Sequence, residues 1–345
     1  MPRSAGPHVA GRNSMAGRRR GRYRPLVPGI FEPELSRRLR GATHVLIAGA
    51  GGGFDVYAGL PLALALREAG TRVTLASFAV SELDRIPAHT WLRSGLVAVG
   101  PDSPGNDRYF PERTLARWLD RAGHDPVVYA FARTGVRPLR AAYRALIERL
   151  GVDAVVLADG GTDILMRGDE AGIGTPEEDM TSLAAVAGLD VPVKAVVSLG
   201  FGIDSHHGIC HAHVLENLAS LQRAGAYLGG FSIPPSSAAA RAYVDAVAHA
   251  NASTPLHASI VNGQVAAAVQ GRLRRRPRHL PHGRHRTVRQ PAHGDVLHRR
   301  PGRPGEPRPL SAQPGAHPHP HGGGPGDRGV SRLRPDDAPP PPLPQ

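Results

Sequence analysis

Residues 43–70 read THVLIAGAGGGFDVYAGLPLALALREAG. Val45, Leu46, Ile47 and Ala48 make a short apolar run, Gly49, Ala50, Gly51, Gly52 and Gly53 follow as five small residues, and Val56, Leu60, Leu64 and Ala65 then fall on one helical face. Gly70 closes that helix, and residues 72–76 resume an extended pattern. Strand, glycine turn, helix and strand make one βαβ unit. Glycines let a ligand approach the main chain, and the helix that follows points free N–H groups at whatever sits there.

Outward from this unit the same alternation repeats. Residues 96–99, 127–131, 153–158 and 193–199 read as strands, and 112–121, 136–150, 211–224 and 238–250 as helices. Residues 136–150 are the clearest helix, with Val136, Leu139, Tyr143, Leu146, Ile147 and Leu150 at i, i+3, i+4 spacing and Gly151 after them. Thr175, Pro176 and Glu178 form a capping-box start for a further helix. Residues 257–261 read as a last strand and 264–270 as a last helix. The pattern predicts an α/β fold: a Rossmann-like three-layer sandwich, with a mainly parallel sheet and helices on both faces. Ligand sites in such sheets lie beyond the carboxyl ends of the strands.

Charge is divided unevenly. Of the formal +13, residues 272–345 carry +10 and residues 1–40 carry +8, which leaves 41–271 at −5. The high isoelectric point therefore belongs to the ends, and a nucleic-acid partner is not expected except nonspecifically through those ends. Residues 1–24 read as a disordered Arg/Gly-rich extension, residues 25–271 as a single domain, and residues 272–345 as a disordered Arg/Pro/His-rich tail. We read that tail as a frameshifted C-terminus. Cys210 is the only cysteine, so no intrachain disulfide forms. No apolar run is long enough to span a membrane, and residues 1–24 lack a secretory core. No membrane partner and a cytoplasmic location are expected.

Three polar clusters follow apolar strands. Gly49, Gly51, Gly52 and Gly53 with Asp55 resemble a dinucleotide turn, but Phe54 stands where its third small residue belongs, and residues 75–77 hold no acid for a ribose hydroxyl. A nicotinamide site is therefore not expected. Asp55 either caps its own helix or meets a ligand. The second cluster is Asp159, Gly160, Gly161, Thr162 and Asp163, then Arg167, Asp169, Glu170 and Asp179. Carboxylates this dense repel one another unless solvent, a cationic group or a divalent metal separates them. The third runs from Asp204 through His206, His207, Cys210 and His211 to His213. It matches no standard metal motif, and helix capping with exposed histidines is the alternative.

The segments VLIAGAGGGFDVYAGLPLALALREAG, VVLADGGTDILMRGDEAGIGTPEEDM and VVSLGFGIDSHHGICHAHVLENLASL together resemble the family called domain of unknown function 1152, over roughly residues 42–271. The resemblance implies a Rossmann-like domain and no established activity. The expected function is thus a small-molecule-binding hydrolase or group transferase dependent on a divalent metal. Asp159 and Asp163 are its candidate metal ligands, and His207 and Asp204 its candidate catalytic residues. Gly49, Gly51, Gly52, Gly53, Asp55, Gly160, Gly161 and Glu170 are its candidate ligand contacts. The alternative is a non-catalytic nucleotide or small-ligand binding protein.

Overall fold

In the computed structural model, residues 32–170 and 176–272 are described. Seven strands form one sheet: β1 (His44–Gly49), β2 (Arg72–Ala79), β3 (Trp91–Arg93), β4 (Leu96–Val99), β5 (Val128–Ala132), β6 (Ala154–Gly160) and β7 (Val193–Leu199). Their order is β3-β4-β5-β2-β1-β6-β7. The run from β5 to β7 is parallel, and β4 pairs antiparallel with both β3 and β5. The expected α/β sandwich with a mainly parallel sheet is therefore present. The hairpin strand β3 had no signal, because three residues cannot establish a period.

Period-two alternation divides the sheet between two cores. Val45 and Ile47 of β1 and Val156 and Ala158 of β6 join a core with helices α2 (Asp55–Ala58), α3 (Leu60–Glu68), α4 (Pro111–Arg121), α8 (Ala238–Ser253) and α9 (Ile260–Val269). Leu46 and Ala48 of β1, with Val155 and Leu157 of β6, join the opposite core, with α5 (Val136–Leu150) and α6 (Pro176–Ala187). A short lead-in helix, α1 (Glu34–Leu39), packs Leu35 and Leu39 into the first core, and α7 (His211–Arg223) follows the last strand. Helix α5 has the bounds its apolar spacing predicts and ends on Gly151 in the left-handed conformation, φ 65°.

One element differs in type. Residues 257–261 are not a strand: a 3-10 turn (Pro255–His257) leads directly into α9. Ser259 caps α9 by accepting from the Asn262 amide at 3.2 Å. The Ser N-cap decides the state of a short apolar stretch that periodicity leaves ambiguous. Thr175, the expected cap of α6, lies outside the described residues, as do residues 1–31 and 273–345. Among the described residues, no helix is long and apolar enough to cross a membrane.

Gly59 joins α2 to α3 at right-handed φ and ψ of −76° and −14°. A methyl there would press into the Ile47 side chain and lie 3.1 Å from the Ala158 Cβ. Gly59→Ala gains about 1 kcal/mol of helix propensity and loses about 1–3 kcal/mol to overpacking. A net fall in melting temperature is expected by calorimetry, and a rise would show that the core under α2 yields.

Candidate functional site

The parallel strands run β5-β2-β1-β6-β7, so successive connections leave β1 in opposite directions. The crevice between the carboxyl ends of β1 and β6 is the topological switch point of the sheet. Gly49 ends β1 opposite Ala158, and β6 continues to Asp159 and Gly160 against Ser198 and Leu199 of β7. Asp159 therefore stands on the sheet where β1 no longer covers it. By alternation it shares the side of Val155 and Leu157, the side on which α6 lies.

Asp55 enters from the other layer. It does not cap its own helix: its Oδ2 accepts from the Gly51 amide at 2.7 Å and its Oδ1 from the Gly160 amide at 3.3 Å. The carboxylate thus joins the loop after β1 to the end of β6. Asp179, in the first turn of α6, comes over from the opposite face. Ser182, one turn on, donates to the Ala50 carbonyl at 2.7 Å and fixes α6 against the glycine turn. Asp55, Asp159 and Asp179 each offer an oxygen within 4.8 Å of the others, the one such acidic, histidine or cysteine group among the described residues. A methyl on Gly51 would lie 2.6 Å from Asp179 Oδ1 and 2.7 Å from Asp55 Oδ2, so only glycine lets the two carboxylates close over the main chain.

Asp159 and Asp179 are each 2% exposed, and Asp159 Oδ2 and Asp179 Oδ1 have no hydrogen-bond partner. Burial, then the neighbouring carboxylates, pushes the Asp159 carboxyl far above the usual range. The same causes push Asp179 up to about 8. Asp55 keeps some surface in the cleft, but its carboxyl is enclosed, and desolvation raises it to about 7 against the lowering effect of the Gly51 amide. Three mutually repelling acids, two of them with an unpartnered buried oxygen, fit a hard divalent cation, whose preferred ligands are oxygens. Imidazole and thiolate are absent from the group, which favours magnesium, manganese or calcium over zinc.

The other predicted residues take different places. Asp163 opens a 3-10 turn (Asp163–Leu165) and is not one of the three, though its charge raises all of them. Asp204 is 3% exposed, and its Oδ2 accepts from the Thr162 amide at 2.6 Å and the Thr162 hydroxyl at 3.2 Å. It holds the loop after β6 to the loop after β7. Gly161, at φ 142°, makes room for that carboxylate, and its carbonyl accepts from the Ser198 hydroxyl. Glu170 accepts from the Arg167 and Gly168 amides and from Asn217 Nδ2 at 2.9 Å, which holds its carboxyl down at about 2 and ties its own loop to α7. His207 ends a 3-10 turn (Ile203–His207), and its side chain lies outside the described residues. Cys210 precedes α7 and is exposed. Asp179, named with the second cluster but not among the candidate site residues, is the member of the trio that sequence reasoning left out. Its signal is its place in the first turn of a helix that starts with proline.

A cleft of about 420 Å³ opens over the glycine turn. Gly52 and Gly53, at φ 93° and 59°, line it together with Asp55 and Gly160. Phe54, Tyr109, His257 and the start of α9 complete its lining. Asn262 ties the start of α9 to the residue after the glycine turn by donating to the Phe54 carbonyl at 3.1 Å, and it accepts from the Tyr243 hydroxyl at 2.9 Å. A second cleft of about 490 Å³, lined by Leu83, Trp91 and Arg133, includes none of the three acids.

Residues 90–276 match the family described as Protein of unknown function (DUF1152). The match begins after the glycine turn, whereas the motif resemblance starts near residue 42. No curated protein matches the chain. Among solved structures, the chain is similar to the Streptomyces sp. SF2575 glycosyltransferase SsfS6, at 18% identity over 55% of this chain and 48% of that one, with a TM-score of 0.22. The same glycosyltransferase complexed with thymidine diphosphate gives 17% identity over 54% and 47%, with a TM-score of 0.22. The chain thus spans about half the length of the glycosyltransferase it matches. Likeness at this level carries no argument about activity.

Proposed function

Because the chain belongs to the family described as Protein of unknown function (DUF1152), which brings no activity with it, we propose a function from the geometry of the site. Asp55, Asp159 and Asp179 hold one divalent cation at the switch point of the sheet, and the protein is a metal-dependent hydrolase or group transferase acting on a small molecule in the cleft above. The observation that carries this is the pair of buried, unpartnered oxygens, Asp159 Oδ2 and Asp179 Oδ1, within reach of Asp55. Such oxygens are costly in a folded protein unless something fills the space between them. A cation so held polarises a substrate oxygen and lowers the pKa of bound water, which serves hydrolysis and transfer alike. Asp163 would act beside the centre through its charge, and Asp204 by setting the loop that presents Asp159.

The binding reading without turnover is favoured by one observation. Asp204 and Glu170, two of the predicted functional acids, are committed to holding loops. The two readings share the cation and differ in turnover.

Titration of the full chain with MnCl₂, followed by the loss of the free-manganese paramagnetic resonance signal, is expected to give one site per chain and a melting temperature that rises by several degrees on saturation. Absence of binding at millimolar manganese, magnesium and calcium would remove the metal reading.

A further inference from the structure

We propose that the cleft takes a phosphate ester carrying a planar ring, the chemistry of a nucleotide, with its phosphate bound through the cation. This rests on the cation reading above and adds the class of ligand. The lining of the cleft is of two kinds, which adjoin where the Tyr109 hydroxyl meets Gly53. One part holds Gly52, Gly53, Gly160 and Asp55, the one of the three acids that lines the cleft, and among the described residues no lysine or arginine lines it. An anion therefore meets repulsion from Asp55 unless a cation comes between them. A magnesium-like ion held by carboxylates keeps open positions that phosphate oxygens fill. Ile260 and Val261 of the first turn of α9 also line the cleft. That turn has no acidic residue, and although Ser259 caps the Asn262 amide, the positive end of the helix dipole there favours negative charge.

The rest of the lining is aromatic and apolar. Phe54 and Tyr109 meet edge-to-face at 5.8 Å and 85°, and Tyr109 and His257 at 5.7 Å and 79°. Val80 and Ile260, both cleft residues, are 40% and 56% exposed. Three connected rings with two exposed aliphatic side chains present a surface for a flat, poorly hydrated body. A ligand with phosphate at one end and a ring at the other satisfies both parts of the lining, and about 420 Å³ falls within the range of small-molecule sites.

The test uses the full chain with ADP, pyrophosphate and adenosine as probes, each with and without MnCl₂, by calorimetric titration and melting temperature. ADP is expected to bind only with manganese present, about tenfold more tightly than pyrophosphate, because ring stacking adds to the phosphate contact. Adenosine alone is expected not to bind. Tyr109→Ala and the exposed Ile260→Glu are each expected to weaken ADP about tenfold while leaving manganese affinity unchanged. The second of these alters a surface position and keeps the test open if the first fails to fold. ADP binding equally well without metal, or pyrophosphate binding as tightly as ADP, would overturn the proposal. Manganese binding with no response to ADP would overturn it as well and leave the cation reading standing. Failure of manganese itself would instead remove the cation reading.

Discussion

Between pH 5 and pH 8.5, with a chelator present, the protein is expected to lose thermal stability as the pH rises. Asp55 and Asp179 are raised to about 7 and about 8 in the fold, and Asp159 is raised further by its burial. Their value in the unfolded chain is about 3.9. At these acids the folded protein therefore holds more protons than the unfolded one over this window, and they give a negative slope of unfolding free energy against pH; His44, His124 and His249, lowered by burial, act the other way only up to about pH 6.5. The contribution of the acids is intact below the unfolded pKa and is lost as pH climbs through 7 and 8. A tenfold difference in proton affinity between the folded and unfolded chain is worth about 1.4 kcal/mol, so the loss is on the order of a few kcal/mol. Glu170, held at about 2, acts in the opposite sense, but its effect lies below about pH 4.5, outside the window. Saturating MnCl₂ is expected to reverse the trend, because the metal competes with protons for the same oxygens and its stabilisation grows with pH. Melting curves at half-unit pH steps, with EDTA and with manganese, check this. Parallel profiles in the two conditions would separate the acids from any metal.

Asp159→Asn is expected to stabilise the metal-free protein at pH 8 and to abolish its response to manganese. The carboxyl is 2% exposed, faces two other acids and leaves Oδ2 unpartnered. An amide of the same shape cannot ionise and places a donor beside the Asp179 carboxylate, an oxygen of which lies within 4.8 Å of one on Asp159. One kcal/mol moves the melting temperature of a domain of this size by about 2–4 °C, so a gain of several degrees is expected at pH 8 and a clearly smaller one at pH 5.5, nearer the unfolded pKa. Manganese affinity is expected to fall at least about hundredfold, because one of three charged ligands is gone. Asp169→Asn, an exposed acid of the same segment, is the control that changes neither quantity. Stabilisation together with lost binding would mark Asp159 as a residue kept for function against stability. A variant that melts lower at pH 8 and still binds manganese would show that Asp159 serves the fold.

The glycine turn was legible because small residues between a short apolar run and a helical face leave few alternatives. The strands β6 and β7 were legible as apolar runs ending in polar clusters. The sequence also placed Asp55, Asp159 and Asp204 at loops that meet. The tie from Asp55 to the Gly160 amide and that from Thr162 to Asp204 show that the loops after β1, β6 and β7 converge on one rim. Sequence reasoning erred at residues 257–261, where four to five apolar and small residues fit a strand as well as a helix start.

By itself, then, the sequence determined the layer architecture and the rim on which the acids gather, because both follow from local period and from strand polarity. The membership of the carboxylate trio was decided only by the tertiary structure. Asp55 and Asp159 are 104 positions apart and Asp179 is 20 further on, and each comes from a different layer. Adjacency in sequence favoured Asp163 as the partner of Asp159, but alternation along β6 turns Asp159 toward α6, and the bond from Ser182 to Ala50 brings Asp179 to it. Which side chains share a site depends on how helices from opposite faces close over the end of a sheet, and no local pattern encodes that.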